Sequence, residues 1–560
     1  MANIRSVLYI ISRIGNNINL YIYSQFKLKN FYAMKHLLLF AFLISFHVSN
    51  SQTYYWSDLF GGNGFDFSNL VAIDNEGNVY NSGFYREGNF QIGDSVLPFV
   101  DNMDSYFVKF SPTGKMLWVI PLYGTGVFDR TEALCIDVNS DIYLLSTIQE
   151  EYHIGDQEFI TIPEENGIDF LLMKFSPEGE LYWYKTFEGP GSDVAYNMIL
   201  KETEIILVGH YNDTLYMDDI ELHANSQDMM IASLDMNGNV NWAKGFGGSG
   251  LDRLNAVDVF PDGSLAVCGY SHGDFQFGDS QLGSVSGVMY HNFIGRLDAS
   301  GNPVWGVMPM NDFRTQAWDI TTDGSGNSYI CYTDQYYLEF KIEKYHSDGE
   351  ISWRYSSENS MDTLTARATN VHYANGKLFV SGYISKGNIL FGNQYDEIEN
   401  TDYLLAVVHP EDGSLDTLFH DGGAGKLKTN GLFVDAINKD VALSILANGQ
   451  VTVDGSDEGI ANDDILLVKM DISDFIVSTE EKTVEKDEIT VYPNPVSDML
   501  FFDDTDGRDF DKVTIYDQLG KQIAIIKYNK SISVNQLKPG YYMVRLTSKG
   551  NPVTLRFVKK

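Results

Sequence analysis

The chain has 560 residues, which is more than one compact core usually holds, so we expect at least two folded domains. Its 50 glycines, 14 prolines and 13% aromatic residues are typical of a turn-rich β protein and exclude long helical assemblies and extended disorder. The 39 basic and 76 acidic residues give a formal net charge of −37, which argues against nucleic acid as a partner because a phosphate backbone would be repelled.

The first 51 residues have the features of an export signal. Residues 1–33 carry basic but no acidic side chains, and we interpret them as sequence ahead of the true start at Met34, the alternative being a long n-region. Residues 34–51 contain Lys35, the apolar run Leu37–Phe46 and small residues before Gln52, which predicts a signal peptide cleaved after Ser51. Because the apolar run is too short to cross a bilayer, we expect no membrane span in the mature chain.

Residues 52–477 repeat one pattern with a period near 60. Segments such as YFVKFSPTGKMLW and FLLMKFSPEGELYW recur, and two weaker copies follow. In the first weak copy Leu418 or Phe419 replaces the tryptophan, and the second weak copy ends at Val477. The tryptophans in phase are Trp56, Trp118, Trp183, Trp242, Trp305 and Trp353. Each of the seven copies reads as four antiparallel strands, which predicts an all-β fold with a seven-bladed β-propeller.

The AxDxxGNxY and FxxKxSPxGxxxW elements of these units resemble the SBBP-type β-propeller repeats of secreted bacterial proteins. That resemblance implies an architecture and not a reaction. One tryptophan per unit at a fixed strand position predicts packing between blades, with sugar stacking as the alternative. Trp318 is out of phase, and its AWDIT context indicates an inner strand.

Glycine-rich connectors between the units end in an aspartate. The four aspartates are Asp66, Asp129, Asp193 and Asp252. One interpretation is that each carboxylate fixes a turn by accepting backbone hydrogen bonds. The other is that the carboxylates form a calcium site or an acidic ring near the pore, since hard cations favour several oxygen ligands. Calcium is the one cofactor that the sequence suggests.

Residues 478–488 read as a charged linker, and residues 489–560 as a separate set of alternating strands. The net charge is +2 over residues 487–560, against about −44 over the passenger, residues 52–486. This tail resembles the type A C-terminal sorting domain of the type IX secretion system of Bacteroidetes. The matching positions are Tyr492, Pro493, Asn494, Pro495, Gly520, Gly540, Arg545, Lys559 and Lys560. The resemblance implies a small Ig-like β-sandwich, the secretion machinery as a partner, and a location outside the cell or on the outer-membrane surface.

A catalytic constellation does not emerge from the sequence. The chain has no GxSxG, HExxH or P-loop motif, and its three cysteines read as small buried residues. The less repetitive histidines, several beside tyrosine, are His153, His210, His223, His272, His291 and His372. We therefore predict a binding or adhesion module for an extracellular glycan or protein. The alternatives are a secreted polysaccharide lyase or hydrolase, and a calcium-stabilised envelope component.

Overall fold

The structure is a computed structural model that describes residues 54–162, 167–278, 280–283, 290–309, 315–334, 339–359, 366–385, 387–391, 394–398, 400–421, 425–453, 456–472, 489–492, 496–504, 510, 512–517, 522–527, 530–538, 540–547 and 553–560. Every helix or strand assigned within these residues is a β-strand, so the all-β prediction is confirmed. The predicted signal peptide and the linker at residues 478–488 lie outside the described residues.

The first part of the described chain contains 23 strands. In order they are β1 (Tyr54–Phe60), β2 (Asp66–Ile73), β3 (Val79–Tyr85), β4 (Gln91–Ile92), β5 (Ser95–Val96), β6 (Asp104–Phe110), β7 (Met116–Gly124), β8 (Arg130–Ile136), β9 (Ile142–Ile148), β10 (Glu151–Ile154), β11 (Glu158–Thr161), β12 (Asp169–Phe175), β13 (Leu181–Phe187), β14 (Val194–Lys201), β15 (Glu204–Met217), β16 (Ile220–Asp235), β17 (Val240–Phe246), β18 (Arg253–Val259), β19 (Leu265–Ser271), β20 (Phe275–Phe277), β21 (Ser280–Leu282), β22 (His291–Leu297) and β23 (Pro303–Val307).

A further 14 strands follow before the tail. They are β24 (Thr315–Thr322), β25 (Ser328–Asp334), β26 (Glu339–Tyr345), β27 (Ile351–Ser356), β28 (Glu358–Asn359), β29 (Ala366–Ala374), β30 (Lys377–Ile384), β31 (Gly387–Phe391), β32 (Gln394–Ile398), β33 (Asp402–Val408), β34 (Leu415–Asp421), β35 (Lys426–Asp435), β36 (Asp440–Val453) and β37 (Ser456–Asp471).

The described strands form seven sheets that each contain four main antiparallel strands. In chain order, from the innermost strand outwards, they are β2-β3-β6-β7, β8-β9-β12-β13, β14-β15-β16-β17, β18-β19-β22-β23, β24-β25-β26-β27, β29-β30-β33-β34 and β35-β36-β37-β1. Strands β10 and β11 extend the first sheet, and β4-β5 and β20-β21 are separate hairpins. These hairpins come from the FQIGD, YHIGD and FQFGD segments in the long loops.

The seventh sheet takes its outer strand from the beginning of the chain. Strand β1 pairs antiparallel with β37, with Phe60 opposite Ile465. The sequence pattern had placed the end of the seventh copy at Val477, which lies outside the described residues. The pairing of β1 with β37 has a geometric reason. A strand at the start of the chain can pair with the open edge of the last sheet and cover it, which removes an unpaired edge.

The hydrophobic cores lie between successive sheets. Side chains of β2, β3 and β6 share one core with those of β36 and β37, with Val108 and Leu467 among its members, so the first sheet packs on the seventh. Six comparable cores join the other neighbouring sheets. Middle strands such as β3 and β6 are therefore buried along their whole length, whereas the outer strand β13 has exposed positions at every second residue. This arrangement is a closed β-propeller.

The tail forms two further sheets around a core of its own. Its strands are β38 (Ile489–Tyr492), β39 (Met499–Asp504), β40 (Lys512–Asp517), β41 (Gln522–Lys527), β42 (Ser531–Ser533), β43 (Gly540–Thr547) and β44 (Val553–Lys559). The sheet orders are β38-β39-β42 and β41-β40-β43-β44, the arrangement of a small β-sandwich. Val513 and Val544 are among its fully buried residues.

Candidate functional site

Each of the seven innermost strands contains a β-bulge at the same step. The residues left unpaired are Asn69, Glu132, Tyr196, Asn255, Trp318, Thr369 and Asn430. A bulge inserts one extra residue, bends the strand and redirects a side chain, and bulges are common beside functional sites. The repetition at the same step in every inner strand points to one shared surface around the ring axis.

These bulges open onto a central cavity of about 810 Å³. All seven bulged residues line it, so every inner strand contributes at least one side chain. The volume falls in the range typical of small-molecule sites and is too small for a folded protein domain. Trp318, which the sequence placed on an inner strand outside the tryptophan repeat, is 37% exposed in this cavity.

A second group of lining residues lies two positions before the bulge. This group consists of Phe67, Arg130, Arg253, Arg367 and Lys428. Four of its members are cations, which we call the cation ring. The connectors precede the inner strands and share a face with the long loops, so the cation ring lies nearer that loop-bearing face than the bulges do. The sequence analysis missed this group because the cations are spread over some 300 residues in strands that look unremarkable one by one.

The carboxylates that line the cavity already have partners. Glu132 pairs with Arg130, Asp319 accepts a hydrogen bond from the Val371 amide at 2.9 Å, and Asp463 accepts one from the Asn448 side chain at 2.7 Å. Burial, partly offset by Arg130, raises the pKa of Glu132. Burial likewise raises the pKa of Asp319 to about 7. The cavity therefore holds few uncommitted negative charges.

Arg253, Arg367 and Lys428 lie against aromatic rings. The guanidinium carbon of Arg253 is 3.6 Å from the Tyr196 ring centroid, and Lys428 Nζ is 5.1 Å from that of Tyr383. Within the described part of the chain, no carboxylate lies within ion-pair distance of these three cations. Burial lowers the pKa of His210 to about 3, and the nearby Arg253 and Arg130 contribute less to the same shift.

The four connector aspartates lie at or just before the start of their inner strands and are buried. Asp129 accepts hydrogen bonds from the Gly126 and Gln149 amides at 3.2 and 3.1 Å, and Asp193 accepts one from Asn212 at 3.0 Å. The amides of Gly62 and Gly248 donate in the same way to Asp66 and Asp252. These are the contacts that the turn-fixing interpretation requires.

Each connector aspartate faces a second aspartate from the preceding sheet. The pairs are Asp66 with Asp464, Asp129 with Asp104, Asp193 with Asp169, and Asp252 with Asp228. The second members lie in third strands, and the recurring Asp before runs such as YFVKF and FLLMKF was the available signal. Burial, with like charge adding to it, raises the pKa of Asp66 and Asp169 to about 8.

Each carboxyl pair offers four side-chain oxygens to a cation. Calcium takes six to eight oxygen ligands, and no group of three or more metal-ligating side chains occurs among the residues that the structure describes. Asp129 already uses both of its oxygens to accept amide hydrogen bonds. The four connector aspartates also do not line the central cavity, so they form no acidic ring there.

The in-phase tryptophans contact the next sheet. The indole Nε1 of Trp56, Trp118, Trp305 and Trp353 donates to a turn carbonyl of the following sheet, at 3.0, 3.2, 2.8 and 3.0 Å. All six indoles lie against a glycine with positive φ in that turn; a Cβ on Gly114 would lie 2.8 Å from Trp56. Any side chain there would displace the ring, so glycine serves both the turn and the indole.

Two of the histidines singled out in the sequence lie beside tyrosine rings in the structure. The rings of His210 and Tyr196 lie 5.4 Å apart in one sheet, and those of His272 and Tyr290 lie 6.0 Å apart at another. Tyr196 lines the cavity, whereas His210 is not among its described lining residues. The three cysteines are free, and two of them are fully buried.

Some of the sorting positions are described. Tyr492 stacks on Phe501 with centroids 5.5 Å apart, and Arg545 is exposed on β43. Lys559 pairs with Gly540, and the Lys560 amide donates to the Val496 carbonyl at 2.9 Å. Pro493, Asn494, Pro495 and Gly520 lie outside the described residues.

The fold and the tail together define a β-propeller protein with an export domain. Residues 490–560 match the family described as secretion system C-terminal sorting domain, which identifies the tail as the sorting domain of a type IX secretion substrate. The protein is therefore secreted or displayed at the cell surface. Within the described residues, no helix combines the length and apolar character needed to cross a membrane.

Several solved propellers are similar in outline. The β-propeller domain of the Trilobed protease from Pyrococcus furiosus is 9% identical and covers 71% of this chain and 96% of its own, with a TM-score of 0.38. Sqt1 from Chaetomium thermophilum is 10% identical over 70% of this chain and 97% of its own, with a TM-score of 0.37. Quinohemoprotein alcohol dehydrogenase from Comamonas testosteroni is 9% identical over 74% and 76%, also at 0.37. No curated protein matches the chain. At these scores the likenesses carry no argument about function.

Proposed function

We propose that this protein is an extracellular binding protein whose ligand enters the central cavity, and that it has no catalytic activity of its own. The observation that carries the proposal is the convergence of seven bulged residues, one from each inner strand, on one cavity. Three of the seven are asparagines, whose amides both donate and accept hydrogen bonds, and two are large aromatic residues. Such a lining suits a ligand with many hydroxyl groups, in keeping with a glycan.

A lyase or hydrolase is less well supported. Tyr196 and His210 are the nearest approach to a histidine–tyrosine pair beside the cavity. A general base works best when its pKa lies near the working pH, and burial holds the pKa of His210 at about 3. Such a histidine binds a proton too weakly to take one from a sugar carbon at neutral pH.

The proposal includes the features that the sequence alone suggests. These are the signal peptide with cleavage after Ser51, the SBBP-type repeats, an origin in Bacteroidetes, and handling by the type IX machinery. The alternative function is a calcium-stabilised envelope component, which removal of calcium by a chelator would distinguish.

The test is calorimetric titration of the full chain with a panel of soluble polysaccharides, with the same mixtures assayed for new reducing ends and unsaturated sugars. We expect binding without product. Trp318→Ala should weaken binding about three- to tenfold, because it removes an exposed aromatic face from the cavity. Tyr216→Ala, which removes a 49% exposed tyrosine elsewhere, is the matched control and should bind normally. Product formation would overturn the non-catalytic function.

A further inference from the structure

The cavity has a charge opposite to that of the molecule around it. The chain carries a net charge of −37, yet four inner strands present a cation at the same step before the bulge. Lys426, at the start of β35, adds a fifth cation to the lining. Most charged residues of the chain are acidic, so the presence of several cations in one cavity requires a local explanation.

Among the described residues, one member of the cation ring has a carboxylate at ion-pair distance, while Glu132 acts on Arg253 and Asp463 on Lys428 at longer range. Arg130 is held by Glu132. Arg253 contacts the side-chain oxygen of Asn255, which is a neutral partner, and Arg367 faces the Tyr383 ring at 5.8 Å. Among the described residues, Arg253, Arg367 and Lys428 have no carboxylate at ion-pair distance, and Arg367 is exposed. Their charge is available to a ligand.

We propose that the ligand of the central cavity is an acidic saccharide, whose carboxylate groups are bound by Arg253, Arg367 and Lys428 and whose ring faces lie on the neighbouring aromatic side chains. The proposal rests on the binding function proposed above and names its ligand class. A guanidinium presents parallel N–H donors that match the two oxygens of a carboxylate.

The spacing of cations and aromatic rings favours a saccharide over other anions. Tyr196 and Tyr383 each lie beside a member of the cation ring. Trp318, which lies between these tyrosines in the sequence, is exposed in the cavity. An aromatic ring offers a flat apolar surface, whereas asparagine amides pair with hydroxyl groups. A free phosphate would use the cations but neither the aromatic faces nor the amides. The combination fits a sugar that carries carboxylates.

The enclosed setting strengthens these contacts. Charges interact more strongly where protein excludes water than on an open surface, and charge-assisted hydrogen bonds are shorter and stronger than neutral ones. The acidic exterior would repel a polyanion at long range. An anionic ligand is therefore attracted by the cations only once it reaches the cavity. Loss of the cations should therefore affect acidic ligands selectively.

The experiment compares polygalacturonate with its carboxyl-reduced, neutral form, each titrated into the full chain by calorimetry. We expect the acidic form to bind at least tenfold more tightly. In the double variant Arg253→Gln/Arg367→Gln, acidic binding should fall about tenfold or more while neutral binding changes little, as expected from the loss of hydrogen bonds to a charged group. Lys115→Gln, which removes one exposed charge outside the cavity, is the control and should bind like the parent.

The possible results separate this inference from the function it rests on. If both saccharide forms bind equally and Trp318→Ala weakens both, the binding function holds and the acidic ligand is wrong. If polyglutamate binds more tightly than polygalacturonate, the occupant is an acidic polypeptide and the inference is overturned. If inorganic phosphate displaces polygalacturonate at equal concentration, the site recognises charge alone, which also overturns it. If no saccharide or polypeptide binds to the parent chain, both proposals fail.

Discussion

The indole nitrogen of Trp56 donates a hydrogen bond of 3.0 Å to the carbonyl oxygen of Pro112. Trp56 lies in β1, the outer strand of the seventh sheet, and Pro112 lies in the last turn of the first sheet. This contact therefore links the seventh sheet to the first, in addition to the core between them. Trp118, Trp305 and Trp353 make the same hydrogen bond between consecutive sheets.

We predict that Trp56→Ala lowers the free energy of unfolding by about 2 kcal/mol, less than a fully buried tryptophan because the ring is only partly covered. The measurement is urea denaturation of the full chain. Tyr55→Ala is the control. The Tyr55 side chain is next in sequence and 51% exposed, so its removal should lower the free energy of unfolding clearly less. Equal losses for both variants would mean that the indole contact does not hold the ring.

We predict that Gly301→Ala destabilises the chain by about 1–3 kcal/mol more than Gly376→Ala. Both glycines have a positive φ, +74° and +77°, so both variants share the same backbone strain. A Cβ on Gly301 would lie 2.4 Å from the Trp242 ring, whereas Gly376 has open space around it. Thermal or urea unfolding of the two variants gives the difference. Similar losses would show that the indole can move away at little cost.

His210 predicts a pH dependence of stability. Burial, with Arg253 and Arg130, lowers the pKa of His210 to about 3 from an ordinary value of 6.5. Between these values the unfolded chain binds a proton that the folded chain does not, so this group destabilises the fold as the pH falls from about 6.5. Relative to its own value at pH 7, the parent chain should lose on the order of 2 kcal/mol more than His210→Gln by about pH 4.5.

The matched control for this pH series is His223→Gln, which replaces an exposed histidine. Below about pH 6, the difference in free energy of unfolding from the parent chain should be larger for His210→Gln than for His223→Gln, because His210 is buried and His223 is exposed. Parallel pH curves for the parent and His210→Gln would contradict the prediction.

We predict that a chelator leaves the melting temperature of the full chain unchanged. The connector aspartates accept backbone hydrogen bonds and come in pairs, which gives calcium too few ligands. Differential scanning calorimetry with calcium and with EDTA makes the comparison, because a ligand specific to the folded state raises its melting temperature. A higher melting temperature in calcium would restore the calcium-stabilised component as the better function.

The sequence predicts the repeated parts of this structure well because they depend on local chemistry. The turns before Trp118 and Trp183 combine glycine and polar residues that specify a tight turn, and the strands around them alternate with the period of a half-buried sheet. The export tail is predicted from motifs at fixed spacing, and the family match at residues 490–560 confirms it. Asp66 and Asp129 were noted because they recur, but their partners Asp464 and Asp104 were not.

The sequence by itself determined the repeating unit, its β-strand content and the export of the protein, since each is encoded within a few neighbouring residues. Only the tertiary structure decided that β1 completes the last sheet, that the carboxyls pair between sheets, and that Arg253 and Arg367 face one cavity. These relationships join residues separated by up to about 400 positions, and they arise because closing the ring brings the same step of every inner strand to one axis.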